Sequence, residues 1–132
     1  MAWRVLVADD DPGILSLIER VLSQHPFEVT LCDDAETALV RLQRNGGFDI
    51  LISDFMLPGI SGLDLIRQVR NSAATANLPI VMISGHGNYA MDARAKSAGA
   101  NAFLRKPFTL SQLKKTVQQL LAARAPASGW SG

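Results

Sequence analysis

Residues 5–14 read VLVADDDPGI. Four apolar residues run into Asp9, Asp10 and Asp11, and Pro12 follows. A Val-rich run closed by acids and a proline suited to a first helical turn predicts a buried strand passing into a helix. Two carboxylates about 4 Å apart repel by roughly 4 kcal/mol at an effective dielectric near 20. A folded chain keeps such a cluster where it is well solvated or where something positive sits.

The same pattern recurs outward along the chain. WRVLVA (3–8), FEVTLC (27–32), DILIS (49–53), PIVMIS (79–84) and AFLRK (102–106) predict five strands. Helical stripes lie between them. The first is Ile14, Leu17, Ile18 and Val21; the second is Ala35, Ala38, Leu39 and Leu42, closed by Gly46 and Gly47. Leu63, Ile66 and Val69 form the third, and an Ala-rich stretch over 88–98 closes on Gly99. Leu110, Leu113, Val117, Leu120 and Leu121 form the last, with Thr109 as N-cap. Five strand–helix alternations predict one α/β domain over 1–124 with a doubly wound, five-stranded parallel sheet. APASGWSG (125–132) reads as a flexible tail or linker.

The bulk numbers suit a chain with a real core: 132 residues, 48% hydrophobic, 19% charged. A net charge of +1 gives no general reason to bind nucleic acid or an anionic membrane. Cys32 is the single cysteine, so no internal disulfide can form. His25 and His86 are far apart in sequence, which argues against a zinc site. No apolar stretch approaches the roughly 20 residues of a membrane span, and MAWRVLVADD is unlike a signal peptide. The expectation is a soluble, cytoplasmic domain.

Ligands of open α/β sheets sit beyond the carboxyl ends of the strands. There the chain places Asp9–Asp11 after the first strand, Asp54 after the third, Ser84 at the end of the fourth and Lys106 after the fifth. The second ends in CDDAE, an ordinary helix start. With strand order 2-1-3-4-5, Asp54 faces Asp9 and Asp10. Facing carboxylates attract a hard divalent cation, and Mg²⁺ typically takes one or two of them plus water and phosphate oxygens. A carboxylate beside the metal can also attack phosphorus. Lys106 and the Ser84 hydroxyl could then bind phosphoryl oxygens. Taken singly, each residue has a blander role: Asp11 a helix cap, Asp9, Asp10 and Asp54 turn acids, Ser84 a strand-end hydroxyl, Lys106 a solvated charge. His86 reads as an exposed loop residue; Cys32, Met82 and Met91 read as core. The convergence of Asp9, Asp10, Asp54, Ser84 and Lys106 on one sheet edge favours the chemical reading.

VLVADDD, DILISDFMLPGISGLDL (49–65), PIVMISGH (79–86) and GANAFLRKPF (99–108) together resemble the receiver domain of two-component response regulators. The motifs stand in family order and cover about residues 3–122. The resemblance implies a flavodoxin-like (βα)5 fold, with Asp54 as phosphoacceptor. It implies Mg²⁺ or Mn²⁺ bound by Asp10 directly, by Asp9 weakly or through water, and by Asp54 and the Met56 carbonyl. Ser84 and Lys106 would bind the phosphoryl group, Ser84 and Phe103 would form a switch, and Lys106–Pro107 would be cis. The implied phosphodonor is a histidine kinase or histidine phosphotransfer protein. An output domain or partner protein would meet the 88–124 side, which carries Arg94, Lys96, Lys114 and Lys115. A phosphorylation-dependent dimer is compatible with this; direct nucleic-acid or membrane contact is not implied. The chain would be no enzyme beyond promoting its own phosphorylation and dephosphorylation. Two residues depart from the pattern: Gly85 stands where Ala is common, and Phe103 lacks the hydroxyl of a Tyr.

Three rivals fit less well. A haloacid-dehalogenase-like phosphatase needs a D-x-D nucleophile segment followed by Thr, which ADDDP lacks, and this chain has little length for a substrate cap. An FMN binder needs a phosphate-binding loop where three aspartates would repel phosphate. A non-phosphorylated docking module would lack the acceptor or the Lys, and both are present.

Overall fold

The computed structural model describes residues 3–23, 26–45, 47–85 and 89–123. His25, His86, Gly46 and residues 124–132 lie outside them, as do the side chains of Met91 and its helical neighbours from Tyr89 to Asp92.

Strands and helices alternate: β1 (Trp3–Ala8), α1 (Pro12–Leu22), β2 (Phe27–Cys32), α2 (Ala35–Asn45), β3 (Ile50–Asp54), α3 (Gly62–Asn71), β4 (Ile80–Ser84), α4 (Tyr89–Ala98), β5 (Ala102–Arg105) and α5 (Leu110–Ala123). The sheet is parallel throughout with order β2-β1-β3-β4-β5, as expected. Strand ends move by one residue. Asp54 is the last residue of β3 rather than the first after it, and β5 ends at Arg105. Every residue of β3 and β4 is buried, because helices cover both faces of these central strands.

Alternation along each strand divides the core in two. Leu6, Ala8, Leu51, Ile80 and Met82 face α2, α3 and α4. Val5, Val7, Ile50, Ile52, Val81, Ile83 and Leu104 face α1 and α5 through Ile18, Leu22, Leu113 and Val117.

Local chemistry fixes the helix starts. The Asp11 carboxylate accepts from the Gly13 amide (2.8 Å) ahead of Pro12. Asp34 accepts from Thr37 (2.6 Å), and Ser61 from Asp64 (3.2 Å). Thr109 and Gln112 bond reciprocally, 3.0 Å from the Gln112 backbone amide to the Thr109 hydroxyl and 2.8 Å from the Thr109 backbone amide to the Gln112 side-chain Oε1. That capping box confirms Thr109 as the start signal of α5.

Candidate functional site

Continuing each strand's alternation past its end puts Asp9, Asp54 and Lys106 on one sheet face, in phase with Val7, Ile52 and Leu104. One carboxylate oxygen from each of Asp9, Asp10 and Asp54 lies within 4.8 Å of the other two. Asp9 and Asp54 are buried and Asp10 is exposed, so the cluster opens to solvent along one side.

Lys106 is the cation that meets them. Its Nζ donates to Asp54 Oδ2 at 3.3 Å. It also stands 3.3 Å from Asp9 Oδ2, an ion-pair contact without hydrogen-bond geometry. Asp9 Oδ1 accepts from the Asp11 amide (2.9 Å), whereas Asp9 Oδ2 is buried with no hydrogen-bond donor among the described residues. Burial pushes the Asp9 carboxyl above its usual range; the Asp11 amide opposes this, the Asp54 charge adds to it, and Lys106 offsets part. Burial also works against the Lys106 ammonium, but Asp54 and then Asp9 outweigh it and hold its pKa above the ordinary lysine value. Lys106 thus stays charged, while Asp9 bears a desolvation cost that its lysine does not cancel. A buried carboxylate oxygen without a donor, beside two further carboxylates, suits a cation that accepts oxygen ligands.

The loop leaving β3 is held tightly. The Met56 amide donates to Asp54 Oδ1 (3.3 Å), and the Phe55 amide to the Ile83 carbonyl (2.8 Å). The Gly62 amide closes the loop on the Phe55 carbonyl (2.9 Å). A Cβ on Gly62 would lie 2.7 Å from that same oxygen and 2.7 Å from the Met82 methyl, so only glycine lets α3 approach this closely.

Ser84 and Phe103 do not join the carboxylates. Ser84 is in phase with Ile80 and Met82, on the opposite face, and its carbonyl accepts from the Lys106 amide (2.8 Å). Phe103 pairs in register with Met82 on that same face. It is half-buried against the α2–α4 core. The Lys106–Pro107 peptide is cis. Pro107, Phe108, Ile14 and Leu17 line a shallow, mostly apolar cleft of about 310 Å³ beside Lys106. Of the expected basic residues, Arg94, Lys96 and Lys115 are exposed and Lys114 is half-buried. Cys32 is buried, its thiol donating to the Val7 carbonyl (3.3 Å) and its pKa pushed by burial to about 12. No helix among the described residues is long and apolar enough to cross a membrane.

Sequence reasoning passed over Ser53, Gly62 and Arg70. Each is set by a close approach to backbone carbonyls, which residue type alone does not announce.

Residues 5–118 match the family model described as the response regulator receiver domain. The chain is 33% identical over 118 residues to chemotaxis protein CheY of Pseudomonas aeruginosa, covering 89% of this chain and 94% of that one. It is 37% identical over 119 residues to two-component response regulator ARR2 of Arabidopsis thaliana, where it spans 89% of its own length and 18% of the relative's. A crystal structure of a putative response regulator from Chloroflexus aurantiacus superposes with a TM-score of 0.87 at 35% identity, covering 92% of this chain and 99% of that one.

Proposed function

This chain belongs to the response regulator receiver domain family, and we propose that Asp54 is the residue on which it accepts a phosphoryl group. As a receiver domain it is a signalling switch in two-component systems rather than a metabolic enzyme. The observation that carries the assignment is the contact of Asp54 with Lys106 in a nest shared with Asp9 and Asp10. Asp54 is the member of that nest at the end of a central strand, fixed by Met56 and Lys106 and not by a capping role.

The proposed transfer is a displacement at phosphorus. A carboxylate oxygen of Asp54 forms the O–P bond as the P–N bond to a donor histidine breaks, and the electron pair leaves with the imidazole. Asp9, Asp10, Asp54 and the Met56 carbonyl would hold Mg²⁺ or Mn²⁺. The ion would supply charge neutralisation between the acceptor carboxylate and the incoming phosphate. Lys106, which donates to Asp54 Oδ2, would follow negative charge onto the phosphoryl oxygens. Ser84 would supply a hydroxyl to the product. The same groups would promote later hydrolysis, so the chain acts only on its own acyl phosphate.

The donor would be a histidine kinase or histidine phosphotransfer protein, its helix seated in the apolar cleft of Ile14, Leu17, Pro107 and Phe108. The receiver unit would comprise residues 1–124, with output carried through the 88–124 side. A cytoplasmic setting follows from such a donor.

Incubation with a small phosphodonor and Mg²⁺ should add one phosphoryl group to the intact mass, mapped to Asp54 and absent in Asp54→Asn. Unchanged labelling of that variant rejects the assignment. Asp10→Ala should label more slowly and gain less stability from Mg²⁺ than wild type; an equal gain removes Asp10 from the ligand set.

A further inference from the structure

We infer that Ser53 is a positioning residue for the reaction at Asp54; this rests on Asp54 being the acceptor. Ser53 points to the face opposite the carboxylates and is fully buried. Its register neighbours on the adjacent strands are Ala8 and Met82, so its hydroxyl sits among apolar side chains. A hydroxyl buried there is costly unless it is bonded. Its Oγ donates to the carbonyl of Asp54 itself, at 3.0 Å.

The peptide joining Asp54 to Phe55 is therefore held at both ends. Ser53 takes its carbonyl, and the Ile83 carbonyl takes its N–H at 2.8 Å. Holding that plane fixes the last backbone dihedral of Asp54 and the direction in which the chain leaves β3. The Met56 amide on Asp54 Oδ1 and the Phe55 carbonyl on Gly62 both follow from that direction. The reacting carboxylate and the loop carrying a proposed metal-ligand carbonyl thus depend on one peptide group, steadied from behind the sheet. Transfer rates are sensitive to small misplacements of the nucleophile, so loss of the Ser53 hydroxyl should be felt at the reaction before it is felt in the fold.

The test compares Ser53→Ala and Ser53→Thr with wild type, using acetyl phosphate and Mg²⁺ as the probe. The readouts are labelling rate, mapped site and thermal midpoint. Ser53→Ala should remain folded at the assay temperature and label Asp54 about fivefold more slowly, while Ser53→Thr, which keeps the hydroxyl, should return to within about twofold. Ser53→Cys, close in volume and a weaker donor, carries the alanine expectation should Ser53→Ala fail to fold. Wild-type labelling by the donor-deficient variant overturns the inference. So does equal slowing of the threonine and alanine variants in step with lost thermal stability, since Ser53 would then only fill space. A phosphoryl group mapped away from Asp54 in wild type instead defeats the reading of Asp54.

Discussion

Lys106 Nζ stands 3.3 Å from Asp54 Oδ2 and at the same distance from Asp9 Oδ2. One ammonium thus serves two buried carboxylates, with Asp10 close by. Charge at this sheet edge is unbalanced toward the negative, and the balance sets both stability and metal response.

Lys106→Met should expose that imbalance. Without divalent metal the variant should lose about 2 kcal/mol, because two buried carboxylates lose their cation while the aliphatic stem is kept. With Mg²⁺ the gap should narrow, since the metal no longer competes with an ammonium. Denaturant midpoints of both proteins, with and without Mg²⁺, check this. A Mg²⁺-independent difference would mean that Lys106 and the metal do not share these carboxylates.

Asp9 gives a pH signature. Its folded pKa is raised above the ordinary 3.8, so the folded protein holds that proton more tightly than the unfolded chain does. The Asp9 contribution is then most favourable below 3.8 and is lost as pH rises through the folded value. At neutral pH ionised Asp9 costs stability. Asp9→Asn keeps an oxygen for the Asp11 amide and should stabilise the metal-free protein near pH 7. The gain should fade as pH falls toward 3.8. Denaturant midpoints measured across this range test the sign; a variant less stable at neutral pH contradicts it.

These charges were legible in the sequence because residue type and strand order suffice to collect them. VLVADDD names a buried strand and its acidic end, and the alternation of five such units leaves few sheet orders that bring Asp54 to Asp9. The sidedness of the site was less legible. Ser84 lies one residue past the register partner of Asp54, and a shift of one residue reverses a strand's faces. Motif reading alone treats Ser84 and Asp54 as neighbours at one rim. Residue type does not announce the half-buried setting of Phe103 either, since only the strand register shows Met82 beside it.

Arg70 belongs to what was not legible. A charged residue in the last turn of α3 reads as a solvated end, yet its guanidinium enters a knot of carbonyls. It donates to the Gly99 carbonyl (2.7 and 3.1 Å), to Thr75 (3.3 Å), to Ala76 (3.2 Å) and to Asn101 Oδ1 (2.9 Å). Asn101 Oδ1 in turn accepts from the Ile80 amide (2.8 Å). The end of α3, the start of β4 and the α4–β5 turn are thereby joined. Arg70→Ala should cost about 2–4 kcal/mol, since several part-buried carbonyls lose a charged donor together. Gly99→Ala should also destabilise, because φ is +122° there and the new Cβ would lie 2.8 Å from the Arg70 Nε. Thermal or denaturant unfolding checks both. A loss below about 0.5 kcal/mol for Arg70→Ala would place it with ordinary surface residues.

The opposite facing of Ser84 and Asp54 would give the proposed switch its mechanical content. For the Ser84 hydroxyl to reach a phosphoryl group on Asp54, the end of β4 must move toward the carboxylate face. Gly85 follows at once, and among the described residues a Cβ placed there would meet nothing nearer than the Lys106 side chain at 3.8 Å. Such a shift withdraws Ser84 from the face that carries Phe103, and the half-buried ring can turn further inward against Met82. One hydrogen bond plus the remaining aromatic area is on the order of 1–3 kcal/mol. That biases a two-state element which must already sample the inward state. Ser84→Ala should still label at Asp54, more slowly, while losing most of the change around Phe103 and α5. Amide and aromatic NMR spectra of both proteins, with and without beryllofluoride as phosphoryl mimic, measure this directly. If Ser84→Ala shows the full wild-type shifts at Phe103, α4 and α5, the phosphoryl signal reaches that face by another route.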